Sequence, residues 1–209
     1  MFRIFYGHDD RQAECGEVFA HSVREHASIP VELRPVSAID VPNLRKGTTQ
    51  FTYARFMCAA LCGFEGRALF ADGADCLCLG DVAELADLGM DDFAVRVVKH
   101  PPGTDGRQPR SWSSVMLMDC ERLMEWSPSH VARWPDDMLM RFTGLPDGSV
   151  GGLPPEWNRL VPIGDDPPAG TKLAHWTSLS DPNGGSWIDR SGSALWAEWR
   201  DRWRASRAS

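Results

Sequence analysis

The sequence lacks any apolar run that approaches the roughly 20 residues needed to span a bilayer, which excludes an ordinary transmembrane helix. Residues 1–6 lead directly into polar residues, so we expect no secretory signal. No internal repeat or interdomain linker is evident. Apolar residues still make up 43% of the 209-residue chain, enough for a substantial core. We therefore expect a single domain over 1–209.

Positive charge is also scarce. The chain has 22 lysines and arginines against 29 aspartates and glutamates, which gives a formal net charge of −7 at pH 7. A protein that binds nucleic acid needs a basic surface to neutralise phosphates. We therefore expect no nucleic-acid partner.

Zinc-type cysteine pairs are missing, because none of the six cysteines has a Cys-x₂-Cys spacing. Cys76-x-Cys78 could bind a metal, but a strand with buried small side chains is the favoured interpretation. Reduced thiols are typical of cytosolic proteins, and we predict a cytoplasmic localisation.

Strand and helix patterns alternate through the first half of the chain. Aromatic and β-branched residues predict a strand over Phe2–Tyr6, and helical spacing of apolar residues predicts a helix through Cys15–Val23. Ala68–Ala71 is wholly apolar, as in strands that are buried on both faces. This alternation predicts an α/β sheet. Tyr53–Leu61 is a second predicted helix with an apolar face, and the other candidate strands are Val31–Leu33, Phe93–Val98 and Val115–Met118.

Two carboxylates and one imidazole are the strongest candidates for a functional site. Asp72 and Asp75 follow the predicted strand at 68–71, and ligands of open α/β sheets lie beyond the carboxyl ends of the strands. His175 comes much later, in Lys172-Leu-Ala-His-Trp176. Carboxylate oxygens and an imidazole nitrogen suit Mn²⁺ or Mg²⁺ beside a diphosphate. The pattern indicates transfer of a sugar from a nucleotide donor, although such aspartates also serve as turn and helix caps.

Several segments resemble one enzyme family when they are taken in order. Arg55–Leu85 combines an arginine on a predicted helix, a buried strand, the aspartate loop and an acidic residue that opens the next helix. Ser113–Asp119 is a hydrophobic strand led by serines, and Pro135–Leu139, Leu153–Asn158 and 172–177 follow it. This series resembles the retaining glycosyltransferases of family 8, which include glycogenin and bacterial galactosyltransferases.

The resemblance implies a GT-A type, Rossmann-like fold of nucleotide-diphospho-sugar transferases, with a single mixed sheet flanked by helices. It implies a metal-dependent hexosyltransferase that retains the anomeric configuration. The expected cofactor is Mn²⁺ or Mg²⁺, and the expected donor is a nucleotide-diphosphate sugar, specifically a UDP-sugar. The acceptor would be a glycan or a lipid-linked acceptor.

The same resemblance implies roles for individual residues. The nucleotide base would contact Asp9 or Asp10, and Arg55 would reach the donor's sugar or phosphates, a task that suits a guanidinium. The implied metal ligands are Asp72, Asp75 and His175. The implied donor-binding residues are Asp9, Asp10, Arg55, Asp72 and Ser114. The implied catalytic residues are Asp136, which would face the sugar hydroxyls, and Asp137.

The chain departs from the family pattern at three places. Its metal motif is Asp-x-x-Asp instead of Asp-x-Asp, so either the loop bulges and both carboxylates bind the ion, or only Asp75 binds it directly. Ser113 stands where the family has asparagine, and no lysine precedes Trp187. These departures favour the alternative function, a catalytically reduced nucleotide-sugar-binding protein of the same fold. A phosphatase with Asp72 as nucleophile fits poorly, because such enzymes carry their aspartate pair on the first strand.

Tryptophan and arginine dominate a C-terminal helix predicted at about 194–205. Its apolar stripe consists of Leu195, Trp196, Trp199 and Trp203. The helix either packs back on its own domain or lies on a membrane surface that holds a lipid-linked acceptor. The second alternative would place the protein peripherally at the inner membrane face.

Overall fold

The computed structural model describes residues 1–38, 44–101, 110–176 and 193–208. Trp187 lies outside these residues. The strands are β1 (Phe2–Gly7), β2 (Val31–Val36), β3 (Arg67–Ala71), β4 (Cys76–Cys78), β5 (Val95–Val97), β6 (Val115–Asp119), β7 (Val150–Gly152), β8 (Arg159–Val161) and β9 (Leu173–Trp176). The α-helices are α1 (Ala13–His26), α2 (Cys58–Leu61), α3 (Ala83–Asp87), α4 (Pro128–Arg133), α5 (Asp136–Met140) and α6 (Ala194–Ser206).

Six strands form a central mixed sheet in the order β2-β1-β3-β6-β5-β7. β1 is parallel to β2 and β3, β6 runs antiparallel to β3 and β5, and β5 is parallel to β7. The carboxyl ends of β1, β3, β5 and β7 therefore meet the start of β6 at one edge of the sheet. Ligands of such sheets bind at this kind of edge. The mixed sheet flanked by helices confirms the predicted fold class.

A second, smaller sheet was not predicted. It has three strands in the order β4-β9-β8. β4 pairs antiparallel with β9 so that Cys76 lies opposite His175, and β8 pairs parallel with β9 so that Leu160 lies opposite His175. Sequence periodicity could not predict this sheet, because three short strands from distant parts of the chain must pair to form it. Its register decides which side chains reach the edge of the central sheet.

The core surrounds the middle of the central sheet. Every side chain from Ala68 to Ala71 in β3 is fully buried, which confirms the prediction that this strand is covered on both faces. The segment predicted as one helix over Tyr53–Leu61 is instead a 3-10 turn, Ala54–Met57, followed by the single helical turn α2. Short 3-10 turns are common at the ends of α-helices, which is why apolar spacing alone predicts one continuous helix here.

The C-terminal helix α6 packs against α1. The Trp199 ring lies with its centroid 5.9 Å from that of His21 and 5.2 Å from that of His26. Arg204 on α6 donates to both carboxylate oxygens of Glu14 on α1. The helices in the described ranges are all too short or too polar to cross a bilayer.

Candidate active site

A tight turn at the end of β3 presents the two predicted carboxylates. Gly73 has φ +76°, and a side chain there would crowd Tyr6, with a Cβ 3.1 Å from the Tyr6 Cβ. The backbone N–H of Ala74 donates to the Asp72 carbonyl at 2.8 Å, which closes the turn. Glycine in the left-handed region thus lets the chain reverse within the Asp-x-x-Asp motif. The turn therefore places Asp72 and Asp75 in different surroundings.

Asp72 forms a buried ion pair with Arg55. The Arg55 Nη1 lies 2.8 Å from the Asp72 Oδ1 and also donates to the Ser113 carbonyl at 3.1 Å. The Arg55 guanidinium carbon lies 5.4 Å from the ring centroids of both Phe51 and Phe70. Burial raises the pKa of Asp72 to about 6; Asp75 adds to this effect, and Arg55 opposes it. The pair links the segment before α2 to the end of β3.

Asp75 faces His175. The Asp75 Oδ2 lies 3.3 Å from the His175 Nε2, and His175 is almost fully buried. The two meet because Asp75 directly precedes β4 and Cys76 lies opposite His175 in the small sheet. Burial opposes protonation of His175, but the nearby Asp75 and Asp72 carboxylates keep its pKa above the ordinary value.

A chain of side-chain hydrogen bonds runs from His175 back to the central sheet. The His175 Nδ1 lies 3.0 Å from the Asn158 Oδ1, and the Asn158 Nδ2 donates to the Ser114 Oγ at 2.9 Å. Ser114 directly precedes β6, and its carbonyl accepts from the Asp72 backbone N–H at 2.9 Å. Asn158, Ser114 and His175 are all buried. The small sheet and the central sheet are therefore joined at the candidate site.

The chemistry of this site fits a divalent cation. Within the described part of the chain, ligand atoms of Asp75, Cys76 and His175 lie within 4.8 Å of one another. Carboxylate and imidazole are acceptable ligands for Mn²⁺ and Mg²⁺-type sites, whereas a thiolate would favour a softer metal. Burial raises the pKa of the Cys76 thiol well above its ordinary value, so Cys76 remains protonated and serves poorly as a ligand. Asp72 is not in this group, and its role as a ligand stays a prediction.

Asp136 lies at the start of α5, where two side chains hold its carboxylate. The Tyr53 hydroxyl donates to the Asp136 Oδ1 at 2.8 Å, and the Arg45 Nη1 lies 3.3 Å from the same oxygen. The Arg45 guanidinium lies 3.9 Å from the Tyr53 ring centroid. Its Nε and Nη2 are buried and have no hydrogen-bond partner among the residues that the structure describes. Asp137 pairs instead with Arg141, with the Oδ1 and Nε 2.9 Å apart.

Asp9 and Asp10 follow β1 and differ in their surroundings. The buried Asp9 carboxylate accepts from the Arg11 Nε at 2.8 Å, the Arg11 Nη2 at 2.6 Å and the backbone N–H of Gln50 at 3.0 Å. The hydrogen bond with Arg11 lowers the pKa of Asp9 to about 2. Asp10 is exposed, and its Oδ2 accepts from the Gln50 side chain at 3.0 Å. Asp9 therefore ties two loops together, while Asp10 faces solvent.

Gly7 connects these aspartates to the rest of the site. A side chain at Gly7 would place its Cβ 2.5 Å from both the Asp72 carbonyl oxygen and the Phe51 ring. Only glycine allows β1 to approach the end of β3 and the Phe51 segment this closely. The predicted donor-binding residues thus lie around one edge of the central sheet.

Sequence comparison identifies a relative that spans most of the chain. Protein CDI of Arabidopsis thaliana is 34% identical over 215 residues, which cover 90% of this chain and 80% of that protein. The chain belongs to the Protein CDI family. No protein-family model matches it.

Solved structures show the fold of this CDI-family chain. The galactosyltransferase LgtC, in complex with donor and acceptor sugar analogs, has a TM-score of 0.64 and 16% identity and covers 96% of each chain. The bifunctional glycosyltransferase WbbM has a TM-score of 0.61 and 16% identity and covers 96% of this chain and 51% of its own. GlyE of Streptococcus pneumoniae TIGR4 has a TM-score of 0.60 and 14% identity, with 99% and 64% covered. The predicted GT-A glycosyltransferase fold is confirmed.

Four side chains of the candidate site were not predicted from the sequence. Asn158 closes the Leu-Pro-Pro-Glu-Trp-Asn segment, so its position was visible in the sequence although its contact with His175 was not. Tyr53 belongs to the apolar spacing of the predicted helix Tyr53–Leu61, which does not reveal that its hydroxyl reaches Asp136. Arg45 and Arg11 carried no signal, because single arginines in a polar loop are common.

Proposed function

We propose that the chain is a metal-dependent, retaining hexosyltransferase that uses a nucleotide-diphosphate sugar, with a UDP-sugar as the expected donor. The acceptor would be a glycan or a lipid-linked acceptor. One observation carries the proposal: Asp75 and His175 meet beside the Arg55–Asp72 pair, at the ligand-binding edge of a GT-A fold. The complex of LgtC with donor and acceptor sugar analogs supports it at the level of the fold.

Asp75 and His175 would hold Mn²⁺ or Mg²⁺ through the carboxylate and Nε2. When bound, such a cation stabilises the negative charge of the departing nucleoside diphosphate. Arg55 is already fixed by Asp72 and by the Ser113 carbonyl, so its remaining N–H groups are oriented for a phosphate or a sugar hydroxyl. Asp72 is the proposed further ligand, and Ser114 would support the donor from the start of β6.

The nucleotide base would occupy a cavity of about 480 Å³ near the end of β1. Arg11, Lys46 and residues 48–50 contribute to its walls. Because Arg11 and Gln50 already occupy the Asp9 carboxylate, we assign the hydrogen bond with the base to the exposed Asp10. Asp9 would act indirectly, by fixing Arg11 and Gln50 in the cavity wall.

The transferred sugar would lie against Asp136. Sugar transfer passes through an oxocarbenium-like state, and hydrogen bonds to the sugar hydroxyls strengthen in it. In the mechanism that we favour, the acceptor oxygen attacks the same face from which the diphosphate leaves, and the departing phosphate takes the acceptor proton. In the alternative double displacement, the Asp136 carboxylate bonds to the anomeric carbon as the diphosphate leaves. The acceptor hydroxyl then displaces the carboxylate, and its proton passes to the diphosphate. The buried Arg45 Nε and Nη2 are cationic donors beside this carboxylate. Asp137 would contribute from the next position of α5.

The alternative function is a nucleotide-sugar-binding protein of the same fold that no longer transfers the sugar. The observation that favours it is the Arg55–Asp72 pair, because a carboxylate neutralised by arginine is a weaker metal ligand. The altered Asp-x-x-Asp motif and the missing lysine point the same way. Retention of Asp75, Asp136 and His175 favours the enzyme.

Thermal unfolding in the presence of a panel of nucleotide-sugars, with and without Mn²⁺, tests the proposal. The proposal predicts that one donor raises the melting temperature only when Mn²⁺ is present, and that His175→Ala abolishes this increase. An increase that does not need the metal would favour the binding protein. Release of nucleoside diphosphate then separates turnover from binding.

The contacts of α6 do not support membrane attachment through this helix. Trp196 and Trp199 of the predicted apolar stripe are buried, and Trp199 packs on His21 and His26. These contacts support the alternative in which α6 packs on its own domain. The cytoplasmic localisation stays a prediction, consistent with six free and buried cysteines.

A further inference from the structure

We propose that Asn158 is a positioning residue, whose side-chain carbonyl holds a proton of His175 on Nδ1 so that Nε2, which faces Asp75, is the ring nitrogen available to a cation. The inference rests on the proposed function only in taking His175 as a cation ligand. Asn158 is not among the site residues predicted from the sequence.

The geometry forms one continuous line of buried contacts. The Ser114 Oγ accepts from the Asn158 Nδ2 at 2.9 Å, and the Asn158 Oδ1 lies 3.0 Å from the His175 Nδ1. On the other side of the ring, Nε2 lies 3.3 Å from the Asp75 Oδ2. Asn158 is fully buried, and Ser114 and His175 are nearly so, which shields these contacts from water.

The direction of the Asn158 amide decides the tautomer. A side-chain amide offers donors on nitrogen and an acceptor on oxygen, and a neutral imidazole has one of each. With Nδ2 directed at Ser114, the Asn158 carbonyl oxygen faces His175 and accepts from it when the ring carries a proton on Nδ1. A histidine bound through one ring nitrogen is oriented in this way by a hydrogen bond at the other. The reverse amide orientation would leave Nδ1 as an acceptor and place the proton on Nε2, where it would block a cation.

The backbone supports the same task. Asn158 ends the 3-10 turn Pro155–Asn158 and directly precedes β8, whose Leu160 lies opposite His175. The neighbouring Trp157 is fully buried and anchors the turn. The small sheet therefore fixes the Asn158 backbone relative to β9, and the side chain needs no independent ordering when a cation binds.

Nitrogen-15 NMR of histidine-labelled protein tests the inference without any donor or metal. At alkaline pH, where the imidazole is neutral, the inference predicts that the His175 Nδ1 carries the proton and Nε2 does not. A neutral His175 protonated on Nε2 would overturn it. This measurement needs no variant, so it remains informative even if substitutions at Asn158 prevent folding.

Mn²⁺ titration of the metal-free protein, followed by electron paramagnetic resonance, provides the second test. Asn158→Ala should weaken Mn²⁺ binding by about 10–100-fold, the usual effect of losing a hydrogen-bond partner of a metal-bound histidine. Asn158→Asp keeps an acceptor and should preserve the Nδ1–H tautomer, whereas Asn158→Ala should lose it. Unchanged Mn²⁺ affinity in a folded Asn158→Ala variant would overturn the inference.

The two tests separate this inference from the proposed function. If the wild-type protein shows the Nδ1–H tautomer but binds neither Mn²⁺ nor any nucleotide-sugar, the proposed function fails and the positioning by Asn158 stands. If the protein binds both but His175 is protonated on Nε2, the proposed function stands and this inference fails.

Discussion

The His175 Nε2 lies 3.3 Å from the Asp75 Oδ2, although the two residues come from opposite halves of the chain. Antiparallel pairing of β4 with β9 produces this contact, because it sets Cys76, the neighbour of Asp75, opposite His175. The contact places a carboxylate and an imidazole where a cation and a diphosphate would bind.

Replacing Asp75 should impair catalysis more than folding. We expect Asp75→Asn to lower kcat by on the order of a hundredfold, by analogy with the loss of one electrostatic stabiliser of the transition state. Steady-state release of nucleoside diphosphate measures this effect. Asp92→Asn, at an exposed aspartate near Arg122, is the control and should behave like the wild type. Near-normal turnover of Asp75→Asn would show that catalysis does not need the Asp75 carboxylate.

The Arg55–Asp72 pair should matter for stability as well as for donor binding. Arg55→Met leaves a buried carboxylate without its partner, and we expect the free energy of unfolding to fall by about 3–5 kcal/mol. The double variant Arg55→Met/Asp72→Asn removes both charges and should recover part of this loss. Urea denaturation measures both values. If the double variant were less stable than Arg55→Met, the two side chains would not act as a pair.

The two tyrosines of the chain allow a matched comparison. Tyr53→Phe removes the 2.8 Å hydrogen bond to Asp136, so we expect a lower kcat with little change in the KM for the donor. Its cost in stability should be about 1 kcal/mol, as for a typical hydrogen bond. Tyr6→Phe removes a hydrogen bond to Glu17 instead and should leave kcat unchanged. Equal kcat values for the two variants would show that Asp136 does not contribute to the reaction.

Asp9 should contribute to stability in a pH-dependent way. Its pKa is lowered to about 2 in the folded protein, chiefly by the hydrogen bond from Arg11, from an ordinary value of 3.8. A lowered pKa stabilises the folded state above about pH 4, and this contribution is lost as the pH falls towards 2. We expect the free energy of unfolding of the wild type to exceed that of Asp9→Asn by about 1–2 kcal/mol at pH 6. This difference should shrink below pH 4. A difference independent of pH would contradict the assignment.

Helix α6 should behave as part of the domain. Trp199 is buried against α1, and Trp199→Ala should lower the free energy of unfolding by about 3 kcal/mol. Trp203→Ala, at the partly exposed end of the stripe, is the control and should lower the free energy of unfolding by less. Wild-type protein should stay in the supernatant when liposomes are sedimented. Co-sedimentation with liposomes would instead support a membrane role for this helix.

The sequence predicted the parts of the molecule that depend on local pattern. β1, β3 and α1 follow from apolar spacing, and the aspartate loop follows from its place after a fully apolar strand. The family resemblance implied the GT-A fold from ordered motifs, which no single motif could have done. These predictions needed no knowledge of distant contacts.

Long-range pairing explains what the sequence did not predict. β4, β8 and β9 have only three or four residues each, so their sheet depends on register between distant segments. The contact of Asn158 with His175 and that of Tyr53 with Asp136 arise in the same way. The contact between Asp9 and Arg11 was not predicted either, because an aspartate close to an arginine in the sequence does not reveal whether the two side chains pair.

Release of nucleoside diphosphate from nucleotide-sugars shows whether the protein is a metal-dependent glycosyltransferase. The wild-type protein would be incubated with each donor, in Mn²⁺ and after chelation, beside the His175→Ala variant. If the chain is a metal-dependent transferase, one donor releases its diphosphate only when the cation is present, and His175→Ala abolishes this release. A folded wild-type protein that binds this donor with Mn²⁺ but releases no diphosphate, with or without candidate acceptors, would contradict it.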